Sequence, residues 1–368
     1  MRRSSATTLY DVAQEAGVAT IPVSVVLNGS KSATRVSDTT RERIVEAAKR
    51  LNYRPNGAAR GLSRSRMDTI GVVGLIESKS VNLYFLDVLT GILSAAARHN
   101  QNTTILPIND WRADENRVLQ FCDGRIDGLI LVAPVSLTPE SAERLLRYTP
   151  YVMLHGNDAP SNTDDLDIDN EGAAFAATKH LIDLSHRRIA HFAGPMQFQG
   201  PRQRLNGYYK ALDHAGIARD ESYVFHGDFM GETGKARASE MLSRFHSSER
   251  PTAVFCVNDV VACACIEELT ANGISIPDQI SVVGFDDGPI ARMTNPQLTT
   301  IRQPLNDMGQ HAVDRLMFRI NASLSQSRGT RSLSSDSERS NQMSPLAEPH
   351  LQIFPYQLIV RKSTSRVS

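Results

Sequence analysis

Leu9-Tyr10-Asp11-Val12-Ala13-Gln14-Glu15-Ala16-Gly17-Val18-Ala19-Thr20-Ile21-Pro22-Val23-Ser24-Val25-Val26-Leu27-Asn28-Gly29 reads as two short helices around a tight turn. Leu9, Val12, Ala13 and Ala16 recur at helical spacing. Thr8 stands before them as an N-cap, and Asp11 lies near the positive end of the helix. Gly17 stops this helix because glycine takes the left-handed conformation at little cost. A second helix is predicted from about Thr20 to Leu27, with Val23, Val26 and Leu27 facing inward and Asn28-Gly29 as the closing turn. Pro22 falls in its first turn, where a missing N–H costs little. Two such helices form a helix-turn-helix, whose second helix can enter a major groove and offer its N-terminal residues to base edges.

The surroundings agree with a polyanion-binding head. Residues 1–66 hold twelve Lys and Arg against five acids, a net +7, while the 368-residue chain as a whole is neutral. The remainder is therefore acidic, and a basic head on an acidic body suggests a nucleic-acid module attached to something else. A third helix follows, capped by Ser37 and striped by Ile44, Val45, Ala48 and Leu51, ending before Tyr53-Arg54-Pro55. The small-residue stretch Asn56–Leu62 can form one or two helical turns, too short to hold without a partner.

These residues carry a resemblance. Leu9-Tyr10-Asp11-Val12-Ala13, Val23-Ser24, Val26-Leu27-Asn28-Gly29, Thr40-Arg41-Glu42-Arg43-Ile44 and Tyr53-Arg54-Pro55-Asn56 resemble the head of lactose-repressor-type (LacI/GalR) regulators. The resemblance implies DNA contacts at Leu9, Tyr10, Thr20, Ile21, Ser24, Val25, Asn28 and Arg35 in the head. In the hinge it implies contacts at Asn56, Ala59 and Leu62, the last as a wedge into the minor groove. The chain departs from the family where Val25 replaces an arginine able to pair with guanine, and where Lys31–Ala33 reads as an insertion. Ile21 and Val25 suit thymine methyl groups, so the operator is expected to be atypical.

From Asp68 onward the pattern alternates. Strand-like runs are Ile70–Ile76, Thr104–Ile108, Gly128–Val132, Tyr151–Leu154, Arg188–Phe192, Ala253–Val257 and Ile280–Phe285. Helical stretches lie between them at Tyr84–His99, Glu115–Cys122, Glu140–Arg147, Ala173–Leu184, Arg202–Ala215, Lys235–Phe245 and Val260–Ala271. Unbroken Val, Ile and Leu runs suit strands buried on both faces of a parallel sheet, and the alternation predicts a doubly wound α/β body. Its length fits two lobes, divided at the polar stretch Asp158–Asp169, with Ile301–Gln303 returning the chain toward the first lobe. Val283-Gly284-Phe285-Asp286-Asp287, Asn258-Asp259, Arg204-Leu205-Asn206-Gly207-Tyr208, His186–Ala190 and Leu358–Arg361 resemble the family's effector domain, which is similar to periplasmic sugar-binding proteins. The predicted organisation is a helix-turn-helix domain at 1–54, a hinge helix and linker at 55–67 and a two-lobed effector-binding and dimerisation domain at 68–368. A Ser-rich insertion, 321–347, has nine serines within its first 24 residues and is expected to be disordered.

Candidate effector contacts follow from strand ends and from the resemblance. Asp286 can accept hydroxyl protons, and Asn258 can both donate and accept. Arg204 and Phe229 match the family's effector-binding arginine and aromatic, and Tyr84 and Phe85 lie at the first-lobe edge. His155 stands where many members have an aspartate. Together these groups suit a polyol or sugar.

Other classes find little support. No apolar run approaches the ~18 residues of a membrane helix. Cys122, Cys256, Cys263 and Cys265 lack zinc-site spacing, and G-x-S-x-G, P-loop and H-E-x-x-H motifs are absent. His180, His186 and His191 do not share a helix face, and Trp111 is placed in a loop. No metal, cofactor or catalytic residue is expected. The sequence thus predicts a cytoplasmic, nucleoid-associated repressor. It would act as a homodimer on a near-palindromic DNA operator and respond allosterically to a small carbohydrate-like effector. The alternative is a cytosolic sugar sensor with a vestigial head. Lys362–Ser368 follow the last strand, so the added C-terminal coiled helix of one tetrameric member is not expected.

Overall fold

The computed structural model describes residues 7–29, 33–54, 61, 66–75, 83–109, 111–132, 138–155, 163–329 and 351–367. The head consists of α1 (Leu9–Ala16), α2 (Thr20–Asn28) and α3 (Asp38–Arg50). Thr8 and Asp11 form a reciprocal capping box, with the Asp11 N–H donating to Thr8 Oγ1 at 3.3 Å and the Thr8 N–H to Asp11 Oδ2 at 2.8 Å. Gly17 closes α1 at φ 62°, its N–H turned back to the Ala13 and Gln14 carbonyls. Val12, Ala13, Ala16, Val23, Ile44, Ala47 and Ala48 make a separate small core.

The body has two six-stranded sheets. The first contains β1 (Thr69–Leu75), β2 (Asn102–Ile108), β3 (Gly128–Val132), β4 (Tyr151–Leu154), β5 (Asp164–Ile168) and β11 (Leu351–Phe354), in the order β11-β5-β4-β3-β1-β2, all parallel. Helices α4 (Leu83–Arg98), α5 (Trp111–Phe121) and α6 (Pro139–Tyr148) cover it. The second contains β6 (Ile189–Ala193), β7 (Val224–His226), β8 (Ala253–Cys256), β9 (Ser281–Asp286), β10 (Thr299–Arg302) and β12 (Gln357–Ile359), in the order β12-β10-β9-β8-β6-β7. Only the β10–β12 pair is antiparallel. Its helices are α7 (Asn170–Asp183), α8 (Gln199–His214), α9 (Gly231–Arg244), α10 (Asp259–Ala271) and α11 (Pro289–Met293). A last helix, α12 (Leu305–Gly329), returns to the first lobe and packs along α4, β3 and β4.

The chain crosses between lobes three times, after β5, after β10 and between β11 and β12. The ends of parallel strands in both sheets therefore face one interlobe cleft, where open α/β sheets bind ligands.

Several expectations need correction. The polar stretch Asp158–Asp169 is not simply a linker, because Asp164–Ile168 forms the fully buried strand β5. Its charge is tolerated because Arg315 donates to Asp164 Oδ2 at 2.7 Å and Oδ1 at 3.1 Å, with Arg319 bonded alongside. The segment expected to be disordered from 321 is helical as far as Gly329; residues 330–350 lie outside the described residues. Trp111 opens α5 and is buried rather than sitting in a loop. Strands β7 and β11, short strands at the outer edges of the two sheets, escaped the sequence reading.

Candidate functional site

Two regions gather the residues singled out by sequence. The first is the exposed side of α2. Its N-cap, Ala19, makes no side-chain cap, so the first-turn N–H groups stay open. Pro22 is the third helical residue, where no intrahelical donor is lost. Thr20, Ile21, Ser24 and Val25 share one helix face by their spacing. Thr20 and Ile21 are exposed, Ile21 to 57%, while Ser24 and Val25 are half-buried. Tyr10, 59% exposed, and Arg35 also face solvent. The α2 face carries no charge and offers methyl groups and two hydroxyls. Leu9 and Asn28 are different. Leu9 packs on the head's core, and Asn28 is buried at the end of α2, its Nδ2 3.5 Å from Ser24 Oγ. Both shape the head from within. Asn56, Ala59 and Leu62 lie outside the described residues, as do the inserted Lys31 and Ser32.

The second region is the interlobe cleft. Arg204, on α8, is buried with its guanidinium 3.7 Å from the Phe285 ring centroid. Its Nε donates to Asn170 Oδ1 at 3.0 Å and its Nη1 to the Val257 carbonyl at 2.6 Å. Asp286 ends β9 at φ 121°, and its Oδ1 accepts from Gln303 Nε2 at 2.7 Å. Burial pushes the Asp286 carboxyl up to about 6, against the pull of Arg204, the Gln303 bond and His155, while Asp87 adds to the rise. Burial likewise lowers the Arg204 pKa, opposed by Asp286, Asp167 and Tyr84.

The first lobe supplies the facing groups. His155 follows β4 at φ 53°, which turns its Nδ1 to within 2.6 Å of Asp167 Oδ1. The same Oδ1 also accepts from the Ile168 N–H at 2.7 Å and Asn170 Nδ2 at 3.1 Å, so three partners converge on one oxygen of this buried carboxylate. Tyr84 meets His155 edge-on, with ring centroids 5.4 Å apart. Burial raises the Tyr84 pKa well above its usual value, and Asp167 and Asp286 act in the same direction. Tyr84 Oη, His155 Nε2 and Gln303 Oε1 are all buried without a hydrogen-bond partner.

Not every candidate faces the cleft. Phe85 turns into the first-lobe core and lies against Gly74, because neighbouring residues on a helix point about 100° apart and Tyr84 takes the cleft side. Asn258 caps α10, accepting from the Val261 N–H at 2.8 Å and donating to the Phe229 carbonyl at 3.0 Å. It holds the loop that presents Phe229, which is half-buried and stacks with Phe198 at 6.3 Å. Gln303, Asp167, Asn170 and Asp87 were missed. Only Gln303 carried a signal, as the end of a return strand.

The histidines and cysteines have structural surroundings. His191 stacks between Tyr208 and Phe255, and burial pushes its pKa down to about 4. His186 bonds Thr252 and Ser281, and His180 bonds Thr364. The four cysteines are buried and free. Among the described residues there is no cluster of His, Cys, Asp and Glu suited to a metal, and no helix is long and apolar enough to cross a membrane.

A charged head with a reading helix, joined to a two-lobed α/β body with a polar interlobe cleft, defines a ligand-responsive DNA-binding regulator. Residues 8–56 match the bacterial regulatory proteins of the lacI family, and residues 178–335 match the periplasmic binding protein-like domain. The chain is 35% identical over 318 residues to the HTH-type transcriptional repressor PurR of Vibrio campbellii, covering 85% of this chain and 92% of that one. It therefore belongs to the lacI family. Among solved structures, the lac repressor dimer bound to operator and the anti-inducer ONPF aligns with TM-score 0.79 and 28% identity, over 98% of this chain and 100% of that one. The complex of the transcriptional regulator CelR with cellobiose aligns with TM-score 0.68 and 29% identity, over 97% and 99%.

Proposed function

We propose that this regulator is a homodimeric repressor whose two heads read a near-palindromic operator and whose affinity is set by an uncharged, sugar-like effector closed between its lobes. The observation that carries the effector reading is the convergence of Tyr84 Oη, His155 Nε2 and Gln303 Oε1, three buried partnerless polar atoms, beside Arg204 and Asp286. Unpaired buried polar groups are costly, so a ligand that satisfies them gains affinity. Hydroxyl groups can both donate and accept, which suits the mixture of Gln303 Oε1, Asp286 and the Tyr84 hydroxyl. Phe229 and Phe198 offer an apolar face for a sugar ring. The neighbour bound to cellobiose supports the same class. Asn258 and Asp167 act as positioning residues in this reading, holding Phe229 and His155.

Exposed apolar side chains support the dimer. Leu86 and Leu93 lie seven residues apart on one face of α4, Ile105 lies on the edge strand β2, and Met293 is 83% exposed beside a groove lined by Lys235, Cys263 and Glu267. DNA binding places the protein in the cytoplasm with the chromosome. The effector shifts operator affinity only through its different affinities for the open and closed lobes.

Selection of genomic fragments by the purified protein, followed by binding curves at two salt concentrations, tests this function. Enrichment of a recurring near-palindrome is the expected result. Salt-sensitive binding without any enriched sequence would contradict a base-reading head and favour the sensor alternative.

A further inference from the structure

We infer that Gln14 is a positioning residue for DNA binding: its amide holds the Tyr10 hydroxyl as a hydrogen-bond donor turned outward, toward a phosphate oxygen of the duplex. This role rests on the DNA-binding reading of the head and adds to it a neutral backbone contact made by α1.

The first helix of a helix-turn-helix crosses the phosphate backbone while the second enters the groove. Helix α1 is poorly equipped for that crossing by charge. It has no Lys or Arg, and its two carboxylates, Asp11 and Glu15, are exposed. Asp11 is turned to Thr8 in the capping box, and Glu15 lies 3.5 Å from Arg50. Other cations of the head are engaged within it. Arg43 donates to the Ala16 carbonyl at the end of α1, and Lys49 lies 4.0 Å from Glu46. A side-chain contact from α1 to the DNA backbone therefore falls to neutral donors.

Tyr10 and Gln14 are the only α1 side chains with an O–H or N–H, and their spacing puts them on one helix face. Gln14 Nε2 donates to Tyr10 Oη at 3.0 Å, and both residues are exposed, Tyr10 to 59%. A tyrosine hydroxyl has one proton. Because its oxygen already accepts from Gln14, that proton is left to point away from the helix. The accepted bond also polarises the O–H and makes it a better donor. A phosphate oxygen only accepts, so donor meets acceptor. With the amide reversed, the hydroxyl proton would be taken up by the Gln14 carbonyl and the phosphate would face a lone pair. The pair carries no charge, so it adds affinity without releasing counterions from the duplex.

Fluorescence anisotropy of the full-length protein on a labelled duplex of arbitrary sequence, at several salt concentrations, tests this role. Tyr10→Phe is expected to weaken binding about fivefold and Gln14→Met about threefold, and the double variant no more than Tyr10→Phe alone. The slope of affinity against salt should be unchanged in all three, whereas Arg35→Ala, which removes an exposed cation, should flatten it. Gln14→Glu keeps the length of the side chain but can only accept, which reverses the bond. In that background Tyr10→Phe is expected to cost nothing. Thermal unfolding checks that each variant keeps its fold, and Gln14→Ala takes the place of Gln14→Met should the latter not fold. Wild-type affinity in the Gln14→Met protein, or additive effects of the two substitutions, would overturn the inference. A wild-type protein that does not bind the duplex would overturn the DNA-binding reading itself, so the two fail separately.

Discussion

Asp286 shows what burying a single carboxyl does to stability. Its carboxyl sits at about 6 in the folded protein and at 3.8 when unperturbed, so between these values the folded state holds the extra proton. Stability therefore falls as pH rises through about 4 to 6, and ionisation costs on the order of 3 kcal/mol above that window. Asp286→Asn is expected to raise the melting temperature at pH 7.5 and to leave it nearly unchanged at pH 4. Thermal unfolding at both pH values checks this, and an equal gain at both would contradict it. Ile21 is a second case. It is 57% exposed and uncharged, so Ile21→Ala should leave the head folded yet weaken binding to the selected operator by roughly fivefold to tenfold, a loss of ~1 kcal/mol. The slope of affinity against salt should stay the same, because no phosphate contact is removed. Binding curves at several salt concentrations separate the two effects.

Elements differ in how openly their sequences declare them. The helices of the head are legible because their signals are local. Thr8 and Asp11 cap α1 within three residues, Gly17 stops it, and Ser37 opens α3. The strands β1, β3 and β9 are legible as apolar runs. Strand β5 is not, because its Asp164 is paired by Arg315 and Arg319, about 150 residues later in the chain, and its Asp167 by His155 and Asn170. The α4–α12 contact is equally hidden, since nothing near Gly309 announces Val88, whose carbonyl oxygen a Cβ on Gly309 would meet at 2.3 Å. Gly309→Ala should cost about 1–3 kcal/mol, because the clash is backbone against backbone and one helix must shift. Gly200→Ala, whose new Cβ would meet nothing nearer than 3.7 Å, should be neutral or slightly stabilising. Denaturant unfolding of the pair compares them directly.

At the scale of the whole molecule, charge and apolar surface are distributed by task. The basic excess lies in residues 1–66, while exposed apolar groups lie on both lobes at Leu86, Leu93, Ile105 and Met293. Leu93→Glu combined with Met293→Glu is expected to yield a folded monomer by sedimentation, with operator affinity reduced more than tenfold, because two half-sites no longer bind together. A variant pair that remains dimeric would move the interface elsewhere. The sequence by itself determined the helix-turn-helix, the alternating α/β body and the family, because capping, periodicity and apolar runs act over a few residues. It also pointed to Arg204, through the family resemblance, and to Asp286, at the end of a strand. Only the tertiary structure decided that Phe85 belongs to the core, that Asn258 is a cap and that Gln303 joins the cleft. Those roles depend on which residues three interlobe crossings bring together, and burial and hydrogen bonding between distant segments leave no local trace in the chain.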